Sequence, residues 1–244
     1  MSRLAPGLLS FAPRLIIFDK DGTLIDFHAM WSAWIRELVA RLERRLGRPV
    51  AGELYDAVGF SQLTGRAIAG GPLAVAPMAQ LRSLITWVVR GTGMSAGEAD
   101  AVMRALWFVP DATRATPLAD LRLVFEALCA DGIAIAIATS DDRAPAEATL
   151  MKLGVAGMVS ALVAADDFTP TKPAPDMVLH LCANLQIGPA WAVMVGDSVA
   201  DMQMGHAAGV GACIGVLSGV SAHADLAAAA DIVVPSISSL IAQG

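Results

Sequence analysis

The sequence predicts an α/β protein: a parallel sheet with helices on both faces, broken by one inserted all-helical region. Three observations lead there. Short runs that are apolar throughout recur along the chain, as in strands buried on both faces. Amphipathic helical patterns fall between them, supplying the crossovers that parallel strands require. From about residue 27 to 115 the alternation stops and only helical periodicity remains.

Taken in order, the strand candidates are Leu15 to Phe18, Ile133 to Ala138, Val159 to Val163, Ala192 to Val195, Gly211 to Gly215 and Ile232 to Val234. Helical patterns run roughly over 117–130, 143–153, 174–186, 199–208 and 221–229. Within the insertion, Trp31, Trp34, Ile35, Leu38, Val39, Leu42 and Leu46 share one helix face, and Met78, Leu81, Leu84, Ile85 and Val88 share another. Residues 1–26 and 116–244 therefore form the α/β core, and 27–115 the insertion. Ten arginines and seven acidic residues give the insertion a net +3 within a total of −6, so the remainder carries −9. A basic helical lid over an anionic ligand fits this asymmetry, as does an arginine-rich solvated face.

Composition removes several classes. With 55% apolar and 16% charged residues over 244 positions, the chain is expected to bury a full core rather than remain disordered. Its negative charge argues against a nucleic-acid partner. Residues 202–224 lack acidic and basic side chains apart from histidine, and Gly211, Gly215 and Gly219 repeat the GxxxG spacing of membrane helices. The glycines and Gln203 divide that stretch instead into a helix, a turn and a strand, so no membrane partner is expected. Two prolines interrupt the N-terminal apolar patch, which does not read as a signal peptide. Cys129, Cys182 and Cys213 are far apart and read as small buried side chains in a reducing, cytoplasmic setting.

Polar residues gather where the predicted strands end. Asp19 and Asp21 follow the first, Thr139 and Ser140 follow IAIAIA, and Asp197 and Asp201 follow AVMV in GDSVAD, while Lys172 lies in the proline-rich loop TKPAP. The carboxyl ends of parallel strands converge on one edge, so these residues can share a site. A cluster of carboxylates needs cations among them, and a hard divalent ion such as Mg²⁺ suits a few carboxylates with retained waters. Singly, each motif has a plainer origin: Asp21-Gly22 as a turn, Asp197 and Ser198 as a helix cap, Thr139 as a strand residue, Lys172 as a solvated loop charge.

Together and in order, DKDGT after a strand, a threonine after IAIAIA, Lys172-Pro173 and GDSVAD resemble the four motifs of the haloacid dehalogenase superfamily. The likeness spans residues 15 to 234, and the insertion lies where that superfamily places its helical (C1) cap on a Rossmann-like core. The resemblance implies a Mg²⁺-dependent phosphatase acting on a small phosphorylated metabolite through an aspartyl-phosphate. Asp19 would be the nucleophile, and Asp21 would protonate the leaving oxygen and then activate water. Thr139 and Lys172 would hold phosphoryl oxygens. The metal ligands would be Asp19, the Asp21 carbonyl and Asp197, supported by Asp201 and Ser198. Gly22, Thr23, Ser140, Arg66 and His28 are candidate substrate contacts, Arg66 because a guanidinium binds a carboxylate or second phosphate bidentately.

Departures from other branches narrow the expectation. Haloacid dehalogenases lack an acid two residues after the nucleophile, whereas Asp21 is present. The only lysines are Lys20, Lys152 and Lys172, so the insertion has none, unlike the caps of phosphonoacetaldehyde hydrolases and hexose-phosphate mutases. The remaining likeness is to phosphoglycolate phosphatases, which GVLSGVSAHADLAAAADIVVPSISSL also resembles. A phosphotransferase or mutase, or a low-turnover phospho-ligand binding protein, stays open, as do monomer and homodimer.

Overall fold

A computed structural model describes residues 3–167 and 170–242. Six parallel strands form the main sheet: β1 (Leu15–Phe18), β4 (Ala134–Ala138), β5 (Ala161–Val163), β6 (Ala192–Gly196), β7 (Ala212–Val216) and β8 (Ile232–Val234), in the order β5-β4-β1-β6-β7-β8. β1 is central, with Leu15 opposite both Ala134 and Ala192 and Phe18 opposite both Ile137 and Val195. Its side chains alternate between the two halves of the core. Ile16 and Phe18 join a cluster that continues into the insertion, whereas Leu15 and Ile17 join a second cluster with Met177, Leu181 and Met194. Burial on both faces is why the strands show no polar alternation.

Helices α6 (Leu121–Ala130), α7 (Arg143–Lys152), α8 (Asp176–Leu185), α9 (Val199–Ala208) and α10 (His223–Ala229) connect the strands. The apparent GxxxG stretch is the end of α9, a left-handed turn at Gly209 (φ 73°) and β7. No described helix is long and apolar enough to cross a membrane. Cys182 and Cys213 are buried, but Cys129 is exposed, against the expectation for all three. It sits near the end of α6, beyond the stripe of Leu121, Val124, Phe125 and Leu128 that covers the sheet.

Between β1 and β4 lie α1 (Ala33–Leu46), α2 (Ala51–Val58), α3 (Pro72–Val75), α4 (Met78–Gly91) and α5 (Ala96–Leu106). The expected stripes on α1 and α4 are buried, except that Leu46 and Leu84 are partly exposed. One addition escapes helical periodicity: β2 (Phe60–Ser61) and β3 (Arg66–Ala67) pair antiparallel around a turn at Ser61 to Gly65. Strands of two residues are too short to display a period. The chain enters the insertion through a π-helical turn, His28–Ser32, which places Trp31 beside the end of β1.

Candidate active site

Backbone geometry at the end of β1 explains the DKDGT sequence. Asp19 N–H still pairs with Val195 O at 2.9 Å, and the chain then folds over itself as Leu24 N–H donates to Lys20 O (2.9 Å) and Gly22 N–H to Ile25 O (2.8 Å). Gly22 has φ 89°, a conformation that favours glycine, and a β-carbon there would collide with the Asp197 carboxylate. Gly219 abuts the same carboxylate, without a positive φ. Gly22→Ala should therefore lower stability by about 2 kcal/mol from backbone strain and crowding together. Gly219→Ala, which crowds without that strain, separates the two contributions when both are measured by denaturant unfolding.

Four loops bring the charged groups together. The Lys172 ammonium lies 2.5 Å from Asp19 Oδ1 and 2.7 Å from Asp201 Oδ1, and all three side chains are almost wholly enclosed. Asp201 is also fixed by a reciprocal cap at the start of α9: Ser198 Oγ and N–H donate to Asp201 Oδ2 at 2.6 and 3.1 Å, and Asp201 N–H donates to Ser198 Oγ at 3.2 Å. Asp197 accepts from Val220 N–H at 2.8 Å and from Thr23 Oγ1 at 3.4 Å. Thr139 follows β4, and its Oγ1 accepts from Asp141 N–H at 3.1 Å.

A second charge group adjoins the first. The buried Lys20 ammonium lies 2.6 Å from Asp21 Oδ2 and 3.1 Å from Asp141 Oδ2, and Trp31 Nε1 donates to Asp21 Oδ1 at 2.8 Å. Both oxygens of Asp21 are thus held, one from the core and one from the insertion.

Burial dominates the electrostatics. It pushes Asp19 up to about 7, with Asp201 and Asp21 adding to the rise and Lys172 opposing it. Burial also pushes Asp197 well above the usual carboxylate range, reinforced by Asp19 and Asp201. For Lys172 and Lys20 burial works the other way, but their carboxylate neighbours outweigh it and hold both protonated. Oxygens of Asp19, Asp197 and Asp201 lie within 4.8 Å of one another. Three carboxylates against Lys172 leave two negative charges, which one divalent cation balances. Asp201 is ion-paired with Lys172 through one oxygen and capped by Ser198 through the other, so it suits support, while Asp19, held through Oδ1, and Asp197, which accepts only hydrogen bonds from uncharged groups, better suit ligation.

A cleft opens over this cluster, lined by Asp19, Asp21, Thr139, Ser140, Lys172, Asp197, Ser198 and Asp201 among the expected residues. Gly22 and Thr23 stand behind it against Asp197. His28 and Arg66 are not in the lining: His28 is half-buried, its imidazole lowered by burial and by Arg66, and Arg66 is exposed on β3. Nor does any other arginine of the insertion line it. Arg41 pairs with Glu37 and lies over Phe108, Arg48 pairs with Glu53, and Arg82 lies over Trp107. The basic insertion is therefore a solvated, locally paired surface rather than a cationic lid over the cleft.

Sequence reasoning passed over Lys20, Asp141, Trp31 and the short segment Leu73 to Ala76, all of which bear on the cleft. Asp141 had a signal, since it follows a strand end just as Asp21 does.

Comparison with known proteins agrees with this geometry. A family model for haloacid dehalogenase-like hydrolases matches residues 13–209. The chain is similar to the validoxylamine A 7'-phosphate phosphatase of Streptomyces hygroscopicus subsp. limoneus, 28% identical over 212 residues that cover 86% of this chain and 89% of the relative. It is 27% identical to a plasmid phosphoglycolate phosphatase of Cupriavidus necator over 225 residues, covering 92% and 90%. A crystal structure described as a predicted phosphoglycolate phosphatase from Haemophilus somnus superposes with a TM-score of 0.68 at 18% identity, covering 93% of this chain and 96% of that one. A β-phosphoglucomutase from Clostridium difficile gives 0.62 at 18% identity, covering 93% of each. At such identities the structural likeness is one of fold.

Proposed function

Because the chain belongs to the haloacid dehalogenase-like hydrolases, we propose that it is a Mg²⁺-dependent phosphatase of a small phosphomonoester, working through an aspartyl-phosphate on Asp19. The observation that carries this reading is the pairing of Asp19 with Lys172 at the floor of a cleft that Asp21 also lines. A pure binding protein has no use for a second carboxylate beside the first, whereas phosphoryl transfer needs one group to attack and another to move protons.

Asp19, Asp197 and the Asp21 carbonyl would hold Mg²⁺, which would supply the positive charge that lets an anionic phosphoryl group approach a carboxylate. An Asp19 oxygen attacks phosphorus as the bond to the leaving oxygen breaks, and Asp21 gives that oxygen its proton. Water then attacks the aspartyl-phosphate, Asp21 takes the water's proton, and inorganic phosphate leaves with the Asp19 carboxylate restored. Lys172 holds Asp19 in line and neutralises a phosphoryl oxygen; Thr139, beside it in the cleft, offers a hydroxyl to another. Phosphate release from p-nitrophenyl phosphate and a panel of phosphomonoesters, with Mg²⁺ and with chelator, tests the reading. Release indifferent to chelator counts against it.

Trp31 is a positioning residue in this scheme. Its indole N–H fixes one oxygen of Asp21, so Trp31→Phe keeps the ring and removes the hold. kcat/KM should fall roughly tenfold for alkyl phosphates, whose leaving group needs Asp21's proton, and change little for p-nitrophenyl phosphate, whose leaving group does not. Equal losses on both substrates would mean that the indole serves packing alone.

A further inference from the structure

We infer that the cleft selects a phosphomonoester whose leaving group is uncharged and mainly apolar, and disfavours one bearing a second anionic group. The inference rests on the phosphatase reading above and adds to it the chemistry of the part of the substrate beyond phosphorus.

Two independent features of the lining lead to it. The first is the wall that the insertion and its entry contribute: Phe27, Trp31, Leu73, Ala74, Val75 and Ala76. These side chains offer a single hydrogen-bond donor, the Trp31 indole N–H, which is already given to Asp21. A sugar or carboxylate facing this wall would leave polar groups without side-chain partners, and hydrogen bonds to water that are lost there and not replaced cost affinity. An aliphatic or aromatic leaving group loses nothing there and gains contact.

The second feature is charge. The lining holds five carboxylates, on Asp19, Asp21, Asp141, Asp197 and Asp201, and among the described residues Lys172 is its only basic side chain. Lys20, behind the lining, is engaged by Asp21 and Asp141. With Asp21 carrying the proton it donates, the other four carboxylates balance the two lysines and one divalent cation, so the site has no positive charge to spare before the phosphoryl group enters. A further carboxylate on the substrate therefore finds no uncommitted cation and no guanidinium in the lining. Arg66, the one arginine the sequence suggested for that task, lies outside the lining.

The test compares kcat/KM for n-butyl phosphate and phosphoglycolate, with p-nitrophenyl phosphate as the reference for phosphatase activity, in wild type and Val75→Arg. Glycolate is intrinsically the better leaving group, so a preference for butyl phosphate must come from the site. The expected result is a wild-type preference for n-butyl phosphate of at least about tenfold. Val75 is only partly buried, so an arginine there can point into the cleft, and Val75→Arg should shift the ratio toward phosphoglycolate. If p-nitrophenyl phosphate is hydrolysed in an Asp19-dependent way but phosphoglycolate equals or exceeds butyl phosphate, the inference is overturned while the phosphatase reading stands. If p-nitrophenyl phosphate is not hydrolysed at all, both fall.

Discussion

Asp19→Asn should abolish phosphate release, a fall of at least about 10⁴-fold in kcat, as when other covalent nucleophiles are removed, while the protein stays folded. The substitution is nearly isosteric, but an amide oxygen is a poor nucleophile and cannot form the acyl phosphate. Stability supplies a second readout with a definite sign. Burial raises native Asp19 to about 7, above the value of about 4 expected in the unfolded chain. A carboxyl whose folded pKa is raised contributes less and less to stability as pH climbs from the unfolded value to the folded one. Wild type without metal should therefore lose stability between about pH 4 and 7 through Asp19, and Asp19→Asn should lack that share of the loss. Thermal melts at pH 5 and pH 7.5 with chelator, beside assays with Mg²⁺, check both halves. An Asp19→Asn protein that retains Mg²⁺-dependent turnover removes Asp19 from the role of nucleophile.

What could be read from the sequence follows the range of the forces involved. Strands such as Ile16 to Phe18 and Ile135 to Ala138 are buried on both faces, so local composition alone marks them. The strand-end residues Asp19, Thr139 and Asp197 were legible because parallel topology turns chain order into spatial proximity. Trp31 was not, since a tryptophan on the apolar stripe of a helix looks the same whether its N–H is idle or bound to Asp21. Lys20 was equally hidden: a lysine between two aspartates reads as solvated, and only the fold shows it enclosed between Asp21 and Asp141. The insertion's net charge fitted a lid and a solvated face alike, because charge counted along a chain says nothing of where each guanidinium points. Arg41 and Arg48 face glutamates and Arg82 a ring, and the side turned to the cleft is built from Leu73, Ala74, Val75 and Ala76.

Lys172→Met should be the most destabilising of the single substitutions considered. The ammonium lies within 2.7 Å of both Asp19 and Asp201, and Lys172 and Asp201 are almost fully enclosed. Methionine fills much of the volume but leaves Asp19, Asp197 and Asp201 buried without a counter-charge. Breaking a buried pair in this way costs about 3–5 kcal/mol at neutral pH. The cost should depend on pH in a sense that packing loss cannot imitate. Without Lys172 the folded-state carboxyls shift further upward, so protonation at low pH relieves the repulsion and the deficit against wild type widens as pH rises. Adding Asp19→Asn to Lys172→Met removes one of the stranded charges and should recover part of the loss, giving a coupling energy from the double-mutant cycle. Mg²⁺ should narrow the deficit for the same reason, although turnover stays low because Asp19 and the phosphoryl oxygens have lost their cationic partner. Denaturant melts of the four proteins at pH 5 and pH 8 measure these terms. A deficit of equal size at both pH values, with no coupling to Asp19, would mean that Lys172 holds the loop by packing and that its charge contributes nothing to the arrangement of the acids.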